Sequence, residues 1–397
     1  MAGLDKRYQD ISRAGQSGLE DTRSGEDLDR PRISRIVFMI TRADDLGGAQ
    51  AHVLALVLGL LERDYKVMVL AGGGGKLFES LEKKAVPCRK LEKLVHPISP
   101  FQDWAAFKET RALLQELKPD LLSTHSNKAG FLGRLAARTL NIPVVHTSHG
   151  FLFSGRDNSP AGRFYRLMEK FAARAGAKVI AVSESEFAAA RKLQVIPPQK
   201  MAVVHNGLPD LGPEFLAEPG LDPPRLVMVA RFASPKDHLT LIKALGGLKE
   251  KDWSLDLIGE GPGLDQARRT VRRLDLSERI NFRGLREDVP LILAQAQIFV
   301  LSSKREGFPI SILEAMRAGL PVVASRVGGC GEAVREGENG CLFAPGDIEA
   351  LRGCLAGLIE KAALRRSMGE AGRRRYLKHF TLEQMIEKTL VVYESVI

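Results

Sequence analysis

Arg231, Lys236, Glu306 and Glu314 are the side chains of this 397-residue sequence whose types and spacing suggest chemistry. The sharpest run is Lys304-Arg305-Glu306-Gly307-Phe308-Pro309-Ile310-Ser311-Ile312-Leu313-Glu314-Ala315-Met316. An apolar run, Ile298–Leu301, reads as a strand; a polar turn follows, and a helix is predicted to begin near Pro309, a residue favoured in a first helical turn. Glu306 then lies in the loop, beside the unpaired N–H groups of Gly307 and Phe308. Glu314 lies more than a turn into the helix, leaning back toward its N-terminus. Two carboxylates so placed accept hydrogen bonds from vicinal hydroxyls, one set on a sugar and the other on a ribose. Acidic residues are also ordinary near helix starts, so a capping Glu306 and a solvent-facing Glu314 fit the same run.

The second run is Ala230-Arg231-Phe232-Ala233-Ser234-Pro235-Lys236-Asp237, after another strand-like segment. A guanidinium and an ammonium five residues apart across a turn can converge on a diphosphate, one by bidentate bonds and one as a point charge. The plainer reading is an exposed basic turn with Asp237 capping the next helix. Gly47-Gly48 opens a helix in the first half, where bare backbone lets an anion approach the helix N–H groups. His149-Gly150 ends a strand of that half; a histidine there is either structural or a reacting group. Two other glycine runs fail. Gly259-Glu260-Gly261-Pro262-Gly263 has Leu264 where a dinucleotide site needs glycine, and Gly72–Lys76 is followed by Leu77 where a phosphate loop needs Ser or Thr.

The elements that position these residues are short apolar strands alternating with helical patterns, which predicts parallel sheets wound with helices. The predicted strands of the first half are Ser34–Ile40, Lys66–Leu70, Leu121–Thr124, Val144–Thr147, Val179–Val182 and Met201–Val204. The series restarts with Leu226–Ala230, Leu255–Ile258, Ile280–Phe282, Ile298–Leu301, Val322–Ala324 and Gly340–Phe343. The expected architecture is α/β: two tandem Rossmann-like, doubly wound sheets with a cleft between them, where the strand ends of both face ligands. The expected divisions are a disordered leader over 1–32, a first domain over 33–205, and a linker over 206–224. A second domain follows over 225–380, and a final helix over 381–397 either caps it or crosses back to the first.

Composition narrows the classes. No apolar run approaches the length of a membrane span, and 1–32 has no secretory character, which predicts a cytoplasmic protein. Cys88, Cys330, Cys341 and Cys354 have no metal spacing and are expected to be free thiols. The formal charge of +10 suits nucleic acid, an anionic membrane or an anionic substrate. Two Trp, five Tyr and no recognisable nucleic-acid motif argue against the first.

Together these residues resemble the retaining glycosyltransferases of the GT-B fold, in particular the family-four group that builds bacterial cell-surface polysaccharides. The likeness runs from about Ile33 to Tyr393. Its mark is Glu306 and Glu314 with seven residues between, in company with Gly307-Phe308-Pro309. Arg231 and Lys236 match the family's diphosphate pair, Gly48 its first-domain glycine loop, and His149 its active-site histidine. Asn206-Gly207 matches the boundary dipeptide and Ser183-Glu184 a strand-end turn. The stretch His125–Gly130 through Gly133–Ala136 is similar to a subgroup acting on lipid-linked oligosaccharides.

The resemblance implies a nucleotide-sugar donor, UDP-linked by expectation, with the ribose on Glu314, a sugar hydroxyl on Glu306 and His149 reaching the sugar. It implies no cofactor and no metal, and no Asp-x-Asp pair marks a sugar-diphosphate metal site. The acceptor would be a glycan or a polyprenyl-diphosphate-linked glycan. Arg163, Arg166, Lys170 and Arg174 beside the apolar Phe164, Leu167, Met168 and Phe171 would let a helix rest on the inner face of the plasma membrane; a packed helix with a solvated basic side is the alternative. A UDP-sugar epimerase of the same fold and a non-catalytic nucleotide-sugar-binding protein are the competing functions.

Overall fold

The structure, a computed structural model, describes residues 33–44, 47–151, 159–174 and 178–397, so the expected leader over 1–32 lies outside it. In chain order the first half runs β1 (Arg35–Ile40), α1 (Gly48–Leu61), β2 (Lys66–Gly72), α2 (Lys76–Lys83), β3 (Cys88–Leu91) and α3 (Pro100–Leu117). It continues with β4 (Leu121–His125), α4 (Asn127–Thr139), β5 (Val144–Ser148), α5 (Pro160–Ala173), β6 (Lys178–Ala181), α6 (Glu184–Lys192) and β7 (Met201–Val203). The second half runs β8 (Arg225–Val229), α7 (His238–Gly246), β9 (Ser254–Ile258), α8 (Leu264–Arg273), β10 (Ile280–Gly284), α9 (Val289–Ala294) and β11 (Ile298–Leu301). It ends with α10 (Ile310–Arg317), β12 (Val322–Ser325), α11 (Cys330–Ala333), β13 (Gly340–Phe343), α12 (Ile348–Glu360), α13 (Ala362–His379) and α14 (Leu382–Glu394).

Both sheets are wholly parallel, with strand orders β3-β2-β1-β4-β5-β6-β7 and β10-β9-β8-β11-β12-β13. Their central strands are buried on both faces, as β4, β5, β11 and β12 show along their full lengths, because helices cover each side of a parallel sheet. The order reverses between β1 and β4 and again between β8 and β11. At such points the flanking connections leave the sheet in opposite directions and open a crevice beyond the strand ends. β3 had no counterpart among the expected strands: it is a short edge strand whose Arg89 and Lys90 are exposed, so it has no apolar run to betray it.

The chain passes between the halves twice, side by side. Leu208 N–H donates to Phe380 O (3.1 Å) and Leu382 N–H to Leu208 O (2.8 Å). Beyond this crossing α14 packs Leu382, Met385, Ile386 and Tyr393 into the core of the first half, against α1. Cys341 and Cys354 are joined in a disulfide with their Cα atoms 6.0 Å apart, which corrects the expectation of four free thiols. Strand β13 and the helix that returns over it bring the two together; Cys88 and Cys330 are free. Among the described residues no helix is long and apolar enough to cross a membrane.

Candidate active site

The two loops that carry the expected binding residues of the second half leave β8 and β11, the neighbours at the switch point. They are laced together: Lys304 N–H donates to Pro235 O (2.9 Å), Asp237 N–H to Ser302 O (3.0 Å) and Ser302 Oγ to Asp237 O (2.8 Å). That lacing brings Lys236 Nζ to 2.5 Å from Glu306 Oε1, with the two side chains only 20% and 10% exposed. Asp237 also caps α7 by accepting from Thr240 N–H, so the structural reading of this turn holds together with its charged reading. Arg231 stands exposed at the end of β8, and none of the described residues pairs with its guanidinium. Glu314 lies on α10, walled in but still reached by solvent; burial raises its pKa, partly offset by Arg317. Pro309 is the N-cap of α10 rather than a residue of its first turn, and Phe308 is buried.

Glycines set the shape of both loops. A Cβ on Gly328, whose φ is +49°, would fall 1.8 Å from Glu306 O, and one on Gly329 would fall 2.6 Å from Gly307 O. This pair follows β12 and braces the Glu306–Phe308 loop, a role that local spacing does not reveal. Gly261 in the rejected dinucleotide run presses likewise on Phe232 O beside Arg231.

From the first half, the backbone of His149 faces this loop, since a Cβ on Gly307 would meet His149 O at 3.1 Å. Gly47 caps α1, and a Cβ on Gly48 would meet nothing within 4 Å. Neither φ nor packing among the described residues demands glycine at 48, and the space above it is open. His149 is half-buried and its Nε2 lies 3.1 Å from His125 Nδ1. Burial holds both rings well below the ordinary imidazole range, with neighbouring histidines acting in the same direction.

His52, His125, Asn206, Glu186 and Glu332 were not singled out as site residues, yet all adjoin this place. His52 Nδ1 lies 2.9 Å from Asn206 Oδ1, while Asn206 Nδ2 donates to Phe308 O (2.7 Å). The amide's donor is thus engaged and its oxygen accepts, so His52 carries its proton on Nδ1. One buried Asn thereby ties α1 to the Gly307–Phe308 loop. Glu186 Oε1 accepts from Phe151 N–H (3.0 Å) just past His149, while its Oε2 is buried without a partner; burial pushes its pKa up to about 8. Glu332 reaches across from the second half to accept from the N–H groups of Glu184 and Ser185 (2.8 Å each) and from His205. The histidines missed in the sequence end β4 or face inward on α1, and only the switch-point rule would have singled out His125.

His52, His125 and His149 each place one ring nitrogen within 4.8 Å of the others, a donor set that zinc accepts. Two of those nitrogens, on His125 and His149, are already within hydrogen-bond distance of each other.

Farther out, α5 leans on α4 through Arg134, which is 0% exposed and makes a bidentate pair with Glu169 at 2.6 and 2.8 Å. The opposite side of α5 leaves Phe164, Leu167 and Phe171 exposed at 47%, 66% and 51%. Leu167 stands mostly in solvent and Phe164 about half so, while the Phe171 ring also lies 6.4 Å from that of Phe131 on α4.

Known proteins similar to this chain are glycosyltransferases. Residues 46–210 match the model described as Glycosyltransferase Family 4, and residues 216–375 match Glycosyl transferases group 1. The chain is 28% identical over 364 residues to the UDP-Gal:alpha-D-GlcNAc-diphosphoundecaprenol alpha-1,3-galactosyltransferase of Escherichia coli, covering 88% of this chain and 94% of that protein. It is 28% identical to the putative glycosyltransferase EpsD of Bacillus subtilis (strain 168), covering 83% and 89%. Among solved structures, Anabaena Alr3699/HepE in complex with UDP and glucose superposes with a TM-score of 0.78 at 20% identity, over 92% of this chain and all of that one. The chain belongs to the family-four, group-1 glycosyltransferases and has their GT-B fold.

Proposed function

We propose that this glycosyltransferase moves a sugar from a UDP-sugar to a polyprenyl-diphosphate-linked or polysaccharide glycan, retaining the configuration at the anomeric carbon. The observation that supports the donor site best is the Lys236–Glu306 pair at the β8/β11 switch point, with the neighbouring Gly307 against the backbone of His149 from the other half. The ribose hydroxyls bond to the Glu314 carboxylate on α10. Arg231 and Lys236 take the diphosphate and offset the charge that grows on it as the glycosidic bond breaks, the kind of contribution that is often the largest in catalysis. Glu306 holds a hydroxyl of the sugar. The acceptor oxygen attacks from the face the diphosphate is leaving, and a phosphate oxygen takes its proton.

The acceptor class is supported by the name of the Escherichia coli relative and by the exposed apolar and basic sides of α5. A helix with Phe164, Leu167 and Phe171 outward and Arg163, Arg166, Lys170 and Arg174 beside them suits an anionic membrane surface, where a polyprenyl acceptor resides. Incubating the protein with UDP-sugars and a polyprenyl-diphosphate glycan tests the proposal through UDP release and the anomeric configuration of the product. An inverted product refutes retention. Conversion of the UDP-sugar without use of acceptor would make the protein an epimerase, and donor binding without turnover would make it a binding protein.

A further inference from the structure

At the switch point of the first sheet, three histidines from separate segments turn toward one another. His52 is buried on α1, the helix that follows β1. His125 ends β4, the neighbour of β1, and His149 follows the end of β5, which pairs with β4. Connections leave a switch point in opposite directions, so the strand ends and the helix frame one small space. Strand alternation puts Ser123 and His125 on the same face of β4, which sets the serine hydroxyl behind the ring.

The spacing suits a single ion. Each ring places one nitrogen within 4.8 Å of the other two. His125 Nδ1 and His149 Nε2 are 3.1 Å apart; two nitrogens on one tetrahedral zinc, each about 2.0–2.1 Å from the metal, stand about 3.3 Å apart. The same geometry sets imidazole centres roughly 5 Å from one another. Here they are 5.4 Å apart for His52 and His125, 4.7 Å for His52 and His149, and 5.4 Å for His125 and His149.

The outer nitrogens are held as those of metal-bound histidines are, by an oxygen that orients the ring from its far side. Asn206 Oδ1 lies 2.9 Å from His52 Nδ1, and Ser123 Oγ lies 3.0 Å from His125 Nε2. Ser123 is itself fixed by the Tyr393 hydroxyl, which donates to it at 2.7 Å from α14. With Nδ1 engaged, His52 Nε2 has no hydrogen-bond partner among the described residues, although the residue is only 4% exposed. We propose that His52, His125 and His149 bind one zinc-class divalent ion through His52 Nε2, His125 Nδ1 and His149 Nε2, with water in the fourth position. Three histidines and one open position are a ligand count that zinc uses. All three ligands belong to the first half, whereas Arg231, Lys236 and Glu306 belong to the second, so this ion is not a cation that balances a departing diphosphate. The contacts of His52 with Asn206 and of His125 with His149 hold without it; the fold does not require the ion, and zinc adds stability where it binds. The proposal is independent of the donor and acceptor readings.

The experiment uses the untagged full chain, stripped with chelator and dialysed free of it. Calorimetric titration with zinc chloride should show one equivalent bound, and the melting temperature should rise. X-ray absorption at the zinc edge should show nitrogen and oxygen ligands only, with three imidazoles at about 2.0–2.1 Å. Ser123→Ala removes one outer oxygen and should weaken zinc binding about 10–100-fold. His52→Gln removes a ligand and should weaken it at least as much, while the same change at the exposed His96 should leave it unaltered. Should His52→Gln fold poorly, the absorption spectrum of the unaltered chain and the Ser123→Ala titration decide. Absence of saturable binding overturns the proposal. Thiolate ligands, fewer than three imidazoles, or an affinity unchanged in both Ser123→Ala and His52→Gln would show an adventitious ion only and overturn it as well.

Discussion

Replacing Lys236 by Ala probes the central pairing of the site. Its ammonium shares the cleft with Glu306 at 2.5 Å, and neither side chain is more than 20% exposed. An ammonium about 4 Å from a diphosphate oxygen is worth about 4 kcal/mol at an effective dielectric of about 20. Glu306 already draws on that charge, so the part reserved for the departing diphosphate is somewhat smaller. A loss of about 10²–10³ in kcat follows, in the range typical of one charge-directed donor. Glu306, only 10% exposed, is left without its partner, so the melting temperature should fall as well, and turnover is read on the folded fraction. Glu306→Gln has the opposite sign for binding: with the carboxylate gone, Lys236 is wholly available to the diphosphate and UDP should bind a few-fold tighter. Turnover should nonetheless fall, since the sugar hydroxyl loses a charged acceptor. Calorimetric titration with UDP and a coupled assay of UDP release read the two effects separately. Near-normal turnover of folded Lys236→Ala, or weaker UDP binding by Glu306→Gln, would refute the reasoning.

Glu186 keeps its proton in the folded state up to about pH 8, against an ordinary value of 4.5, because it is buried. The folded protein then holds more protons than the unfolded chain between those values, so stability falls as pH rises through that window. Glu186→Gln, which still accepts from Phe151 N–H, should therefore raise the melting temperature more at pH 8 than at pH 5. For Glu169, burial raises the pKa but the Arg134 guanidinium more than offsets it, and the net shift is downward. Its contribution is present above the ordinary glutamate value and lost as pH falls through the lowered one. Glu169→Ala strands a buried arginine and should cost about 3–5 kcal/mol in denaturant unfolding. Changing Arg163, Arg166, Lys170 and Arg174 to Gln should release the protein from vesicles of anionic lipid, each charge contributing about 1 kcal/mol, while UDP binding is unchanged; undiminished sedimentation with vesicles would take α5 out of the interaction. Activity should persist in excess chelator, and loss that manganese or magnesium restores would show that the site works with a metal.

Alternation of short apolar runs with helical patterns determined both sheets, because a strand buried on both faces must be apolar along its length wherever it lies. The same local logic marked Arg231, Lys236 and Glu306, which follow strand ends, and Glu314 on the helix after β11, since a strand end is where a parallel sheet meets its ligand. It overlooked β3, whose exposed Arg89 and Lys90 leave no apolar signal. Tertiary structure alone decided what depends on meetings between distant segments. Cys341 and Cys354 look like unrelated thiols until β13 lies under α12. Asn206 reads as part of a boundary dipeptide until folding sets it between His52 and Phe308 O. Ser123 reads as an inner residue of a strand until Tyr393, arriving on the last helix, donates its hydroxyl hydrogen to it. Hydrophobic pattern is a property of neighbours in sequence and survives in one dimension. The direction of a hydrogen bond belongs to a pair, and here the members of the pair meet only when the two halves of the chain close over one another.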